Sequence, residues 1–144
     1  MLAKYYRFRV LNSTDQTITY NSDGRIELAW IPWKYTSGAV AIAAEVTQSL
    51  IIADGSLAAA AEAEGTVVDN SSDLYVGLKG TFRVVADVDS TDGTMYLYME
   101  ESTDNTVWPS DQADFAIATD LIFVCALAMS TDTTDEGRAK NFSL

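Results

Sequence analysis

Between Leu74 and Trp108 the chain carries two strand-like runs, LYVGLKGTFRVVADV and TMYLYMEES, separated by Asp89-Ser90-Thr91-Asp92-Gly93 and followed by STDNTVWP. β-Branched and aromatic residues crowd both runs, and successive side chains along a strand point to opposite faces. In the first run Phe82, Val84, Ala86 and Val88 share one face, with Arg83, Val85 and Asp87 on the other. In the second, Met95, Leu97 and Met99 oppose Tyr96 and Tyr98, so both faces are apolar. A half-solvated antiparallel strand alternates apolar with polar residues. These strands are therefore expected to be covered by other segments or to meet another chain. The DSTDG segment reads as a hairpin turn and nothing in the region resembles a catalytic centre.

The same punctuation runs along the rest of the chain. Tyr5 to Leu11 and Gln16 to Tyr20 alternate around Asn12-Ser13-Thr14-Asp15, a hairpin signal. Asn21-Ser22-Asp23-Gly24 marks a second turn, after which RIELAWIPWKY places Ile26, Leu28 and Trp30 on one face. Pro32 cannot donate to a ladder and predicts an edge strand or a bend. AVAIAAEV fits strand or helix by periodicity, and its neighbours favour strand. In LAAAAEAE, Leu57 to Glu64, propensity favours helix, but Gly55 and Gly65 bracket it closely. A short helix and an extended segment packed on another subunit both remain open. Ile117 to Met129, with LIFVCALAM at its centre, is the most apolar run and is expected mid-sheet. Thr131 to Gly137 reads as a polar turn, and Arg138 to Leu144 as an edge strand with Phe142 and Leu144 inward. About eight short strands with Asx/Gly turns predict one all-β domain over residues 1–144. Its expected form is an antiparallel β-sandwich, jelly-roll-like, with at most one short helix.

Charge and missing residue types exclude several functions. With 21 acidic and 9 basic side chains the net charge is -12, which repels phosphate backbones and anionic headgroups, so neither nucleic acid nor a membrane surface is an expected partner. The absence of histidine excludes Ser-His-Asp triads, Cys-His dyads and His-ligated zinc. MLAKYYRFRV has no apolar signal-peptide core, and no run approaches the ~20 apolar residues of a spanning helix. The expectation is a protein made in the cytosol and soluble there. Cys125, the sole cysteine, permits no intrachain disulfide and reads as an inert core thiol.

The acidic motifs fail on spacing. Glu100 and Glu101 are adjacent and so point to opposite faces, which does not suit a glycosidase pair. Asp87, Asp89, Asp92 and Gly93 recur like a calcium loop, but the third acid and the glycine each fall one residue late. Ser102 to Trp108 is similar to an Asp-box hairpin that is one residue short and lacks its glycine; its physical content is an Asx-type turn stapled by a buried tryptophan. Trp30, Trp33 and Tyr35 suit either core and subunit contacts or a sugar-stacking platform, with Trp30 inward by alternation. Lys4, Arg7 and Arg9 form the only basic grouping, on a strand face, in a subunit salt bridge or in a contact patch. No catalytic, metal or cofactor site is expected, and no enzyme.

Three segments, LAAAAEAEGTVVDNSSDLYVGLKGTFRVV, GTMYLYMEESTDNTVWPSD and the closing GRAKNFSL, together resemble small structural proteins of tailed bacteriophages. The shared pattern runs from an Ala-rich segment through a V-D-N-S loop and an L-Y strand to a Y-L-x-x-S-T-D-G hairpin, and covers about the C-terminal two-thirds of the chain. Asn105 stands where a glycine is usual. The resemblance implies a virion component on the capsid surface, assembled in the host cytoplasm. As a decoration or cement protein, it would form a homotrimer and bind across neighbouring major capsid subunits. A tail or tail-fibre component is the alternative within the particle, and a carbohydrate-binding module the alternative outside it. The residues expected at interfaces are Tyr5, Arg7, Trp30, Trp33, Tyr35, Tyr96 and Tyr98.

Overall fold

The computed structural model describes residues 1–15, 17–19, 25–50 and 56–144, with backbone alone at 19, 25, 86–92 and 130–137. Its organising element is β9, one strand of 26 residues from Gly77 to Ser102. Along one edge of β9 run β1 (Tyr5–Thr14), β2 (Ile18–Thr19) and β3 (Arg25–Thr36), pairing in turn from Tyr5↔Ser102 to Trp33↔Gly77. Along the other edge runs β10 (Ile122–Ser143), from Ile122↔Met99 to Ser143↔Lys79. Five short strands follow the outer edge of the β1–β3 course. β4 (Ala39–Ile42) and β5 (Val46–Ser49) pair with β3, β6 (Ser56–Leu57) with β2, and β7 (Glu62–Glu64) and β8 (Val68–Asp69) with β1. All these pairings are antiparallel.

Each long course contributes to two layers. One layer holds β4 and β5, β3, the first half of β9 and the end of β10. The other holds β7 and β8, β1, the second half of β9 and the start of β10. The layers pack face to face into an antiparallel β-sandwich, jelly-roll-like in that an antiparallel ribbon folds over on itself. Phe8 on β1 lies 5.2 Å from the Trp30 ring on β3 and 6.1 Å from Phe142 on β10. Around these rings Val10, Leu28, Phe82, Val84, Met95 and Leu97 are buried, as period-2 alternation requires. Gly80 admits the close approach of β3 within its layer, since a Cβ there would meet Ala29 O at 2.4 Å.

Several sequence expectations are corrected. Asp89 to Gly93 is no hairpin turn, because β9 passes straight through it, and Thr131 to Gly137 lies within β10. The β9–β10 ladder changes register between Ser130 and Asp132 and again between Asp132 and Glu136. Bulges of this kind bend a strand, and strands that switch layers turn their corners with them. Nor do β1 and β2 pair as a hairpin, since both lie along the same edge of β9. LIFVCALAM is not mid-sheet: among the described residues β10 pairs with β9 alone. Its strand starts at Ile122, after a single helical turn, α1 (Ile117–Asp120). Leu57 to Glu64 is not helical: Leu57 ends β6, a tight turn with Ala60 at φ 59° follows, and Glu62–Glu64 forms β7. Asn21 to Gly24 lie outside the described residues, as do the side chains of Ala86, Asp87 and Val88.

Two local readings acquire a cause. β3 is an inner strand despite Pro32, whose carbonyl accepts from Ala43 N at 3.0 Å in the gap between β4 and β5. The missing donor thus falls where the outer ladder is interrupted. Asn12, in the segment that reads as a turn, is buried: its Nδ2 donates to Leu57 O (2.8 Å) and Ala58 O (3.0 Å), and its Oδ1 accepts from Thr14 N (3.0 Å). Asn12→Ala strands these buried partners and is expected to lower stability by about 2 kcal/mol in urea unfolding. A change within the error of the extrapolation would remove Asn12 as a structural pin.

Candidate functional site

Among the described residues no cluster of three or more His, Cys, Asp or Glu is disposed to hold a metal. The side chains of Asp87, Asp89 and Asp92, whose spacing does not match a calcium loop, lie outside the described residues. Cys125 is buried in the core, and burial pushes its thiol up to about 11. The native protein is expected to leave a thiol reagent unreacted at pH 8 and to consume one equivalent once unfolded; fast native labelling would contradict this placement. Among the described residues no helix is long and apolar enough to cross a membrane.

What the surface offers is two apolar patches and an ion-pair layer. The first patch grows from the β3–β4 hairpin, whose two-residue loop Ser37-Gly38 has φ of 51° and 81°. Positive φ at both positions matches the twist of the flanking strands and fixes the register. Tyr35 thereby faces Val40, and Trp33 faces Ile42. Trp33 also lies over Gly77, where a Cβ would meet its ring at 2.6 Å, and stands edge-on to Tyr35 at 88°. Tyr35 (64% exposed), Val40 (56%) and Ile42 (64%) remain open to solvent. With Ile31, Trp33 and Lys79 they line a cleft of about 270 Å³.

On the outer face of the other layer, Tyr96, Tyr98 and Phe123 form an aromatic triangle with centroids 5.9 to 6.4 Å apart. Tyr98 is buried there by Ile117 and Leu121, flanked by Leu11 and Phe115. The connection between β9 and β10 therefore covers much of the apolar second face that the sequence left unexplained. Phe123 stays 54% exposed. Beside this triangle lies the ion-pair layer. Arg7 bonds to Glu64, Glu100 and Ser110, and Arg9 approaches Glu62 and Glu100 at 3.2 Å each. Glu100 has a fully buried side chain. Trp108 stacks under the Arg7 guanidinium at 4.4 Å, and Phe115 under that of Arg9 at 5.5 Å.

Ser102 to Trp108 folds as an Asx-type turn. Asp104 Oδ1 accepts from Thr106 N (2.9 Å) and Val107 N (3.1 Å), Ser102 Oγ accepts from Asn105 N (3.1 Å), and Trp108 is buried. Asn105 adopts φ 62°, a conformation Asn tolerates better than most residues. The backbone donors of Thr106 and Val107 hold the Asp104 carboxyl down to about 2. Its contribution is fully present above the ordinary value of 3.8 and is lost as pH falls towards about 2. Asp104→Asn should flatten that part of the stability profile between these pH values; an unchanged acid limb would refute the contribution.

Of the expected interface residues, the structure brings Trp33 and Tyr35 together on one outer face, and Arg7, Tyr96 and Tyr98 together on the other. Tyr5 is half-buried on β1 at the far end from the triangle, and Trp30 is 1% exposed in the core, away from Trp33 and Tyr35. Sequence reasoning missed Val40, Ile42, Phe123 and the role of Glu100. Ser37-Gly38 carried the signal for the first two, since a two-residue loop there sets Val40 and Ile42 across from Tyr35 and Trp33. No family model, curated protein or solved structure matches this chain.

Proposed function

We propose that the protein is a virion structural component of a tailed bacteriophage, acting as a decoration or cement protein across neighbouring capsid subunits. One observation carries this reading beyond the resemblance: exposed apolar patches sit on both outer faces of the sandwich. Tyr35, Val40 and Ile42 are exposed on one face, and Phe123, against the half-buried Tyr96, on the other. Outer faces of two packed layers point in opposite directions, so the domain presents apolar surface to two neighbours at once. A protein that joins subunits needs that bivalence, whereas a single-ligand module needs one concave site. The sugar-platform alternative loses support, since Trp30 is buried and the Trp33 and Tyr35 rings stand at 88°.

Purified particles decide the matter by copy number. Hundreds of copies per particle are expected of a capsid decoration protein; a few, or a few tens, would move the chain to the tail. Tyr35→Asp and Phe123→Asp, one on each face, should each abolish retention on shells while leaving the fold intact by circular dichroism. Retention of both variants would sink the bivalent reading.

A further inference from the structure

The two edges of the folded sheet differ in kind. The outer edge of the β1–β3 course is lined by five short strands, while the opposite edge is the single 22-residue strand β10. Among the described residues no hydrogen bond other than those to β9 reaches Ile122–Met129, so one row of backbone donors and acceptors there faces outward. Natural edge strands of this length are blunted by charge, proline or brevity. Ile122–Met129 carries no charge and no proline; its one such device is the register shift between Phe123 and Cys125.

The geometry points to a second copy of this chain as the occupant of that edge, paired antiparallel about a twofold axis centred on Ala126. Two features select self-pairing. In a chain of net charge -12, association of copies is resisted by like charge nearly everywhere, and Ile122–Met129 is a stretch where no acid would oppose another. The outward face of the strand is also self-complementary in bulk. Phe123 projects outward with Tyr98, its partner on β9, while Ala126 and Ala128 present only methyl groups on the same face. Centring on Ala126, with Val124 the bulged extra residue between Phe123 and Cys125, sets each copy's Phe123 opposite the other's Ala128, ring against space. The isologous contact repeats this twice and adds about six main-chain hydrogen bonds. It leaves Tyr35, Val40 and Ile42 free on the other layer, and it yields a dimer where the phage resemblance implies a trimer.

Three measurements on the full chain test this. Light scattering over a concentration series is expected to reach twice the chain mass of 15.6 kDa. In a Cys125→Ala background, Ala126→Cys should form an intermolecular disulfide on mild oxidation, because directly opposed residues in an antiparallel pair lie ~4.5–5.5 Å apart, within disulfide range. Ser143→Cys, far along the same strand, should not. Ala128→Lys, at an exposed position, should return the mass to 15.6 kDa with an unchanged circular dichroism spectrum. A monomer at every concentration overturns the inference, as does a trimer, or a dimer that ignores Ala128→Lys and fails to crosslink at 126. A monomer that still decorates shells would refute the twofold pairing and leave the functional reading standing.

Discussion

Phe8→Ala is expected to lower the unfolding free energy by about 3–5 kcal/mol, the cost of deleting a large buried aromatic side chain and leaving a cavity behind. The upper part of that range applies because Phe8 is fully buried and touches both layers: Tyr6 beside it at 6.0 Å, Trp30 and Phe142 across from it. A domain of ordinary stability, ~5–15 kcal/mol, would lose a large share of it. The measurement is the urea midpoint with the slope held equal to that of the native protein. A loss below about 1.5 kcal/mol would mean that the two layers do not meet at this ring.

Glu100→Leu should cost about 3 kcal/mol, for a different reason. Removing one member of a buried ion pair leaves the other charge uncompensated, which is far worse than removing both. Glu100 is the buried carboxylate between Arg7 and Arg9, whose side chains are themselves only 12% and 14% exposed. Glu62 and Glu64 continue to partner the arginines from the solvent side, so the loss sits at the low end for broken buried pairs. Arg7→Met added to Glu100→Leu should recover part of the stability, since two apolar chains can fill that volume without a stranded charge. If the double variant is less stable than the sum of the singles, the layer is a cooperative network and this pairwise account is wrong.

Much of the sandwich is legible from alternation. Phe82, Val84, Met95 and Leu97 fall inward, Trp30 and Phe142 join them, and the turn from Ser102 closes on a buried Trp108. Alternation reports which face of a strand is buried and nothing about which edge is paired. That is why LIFVCALAM, apolar on both faces, reads as mid-sheet when, among the described residues, its strand pairs on one side alone. The Asp/Ser/Thr/Gly segments mislead for a related reason. A hairpin turn and a bulged corner both favour small polar residues that tolerate a loosened ladder, and only long-range pairing separates them. Asn12 illustrates the point, since its side chain is satisfied by Leu57 and Ala58, far away in the sequence. The ion-pair layer needs the register of β1 against both β7 and β9 to bring Arg7, Glu64 and Glu100 together, and no local pattern encodes that register.

The folding-over of β10 has a consequence for how the molecule comes into being on the ribosome. Its first half completes the layer built on β1, and its last residues, paired with Lys79 to Phe82, complete the layer built on β3. The layer built on β1 lacks its last strand until Met129 has emerged, and the layer built on β3 lacks its own until Ser143 has, so synthesis must be nearly finished before the two faces can pack. Pairings as remote as Tyr5↔Ser102 make such a search slow relative to a helical domain of equal size. Once formed, the two layers should open together, and slowly exchanging amides in β1 and β3 should report the same free energy.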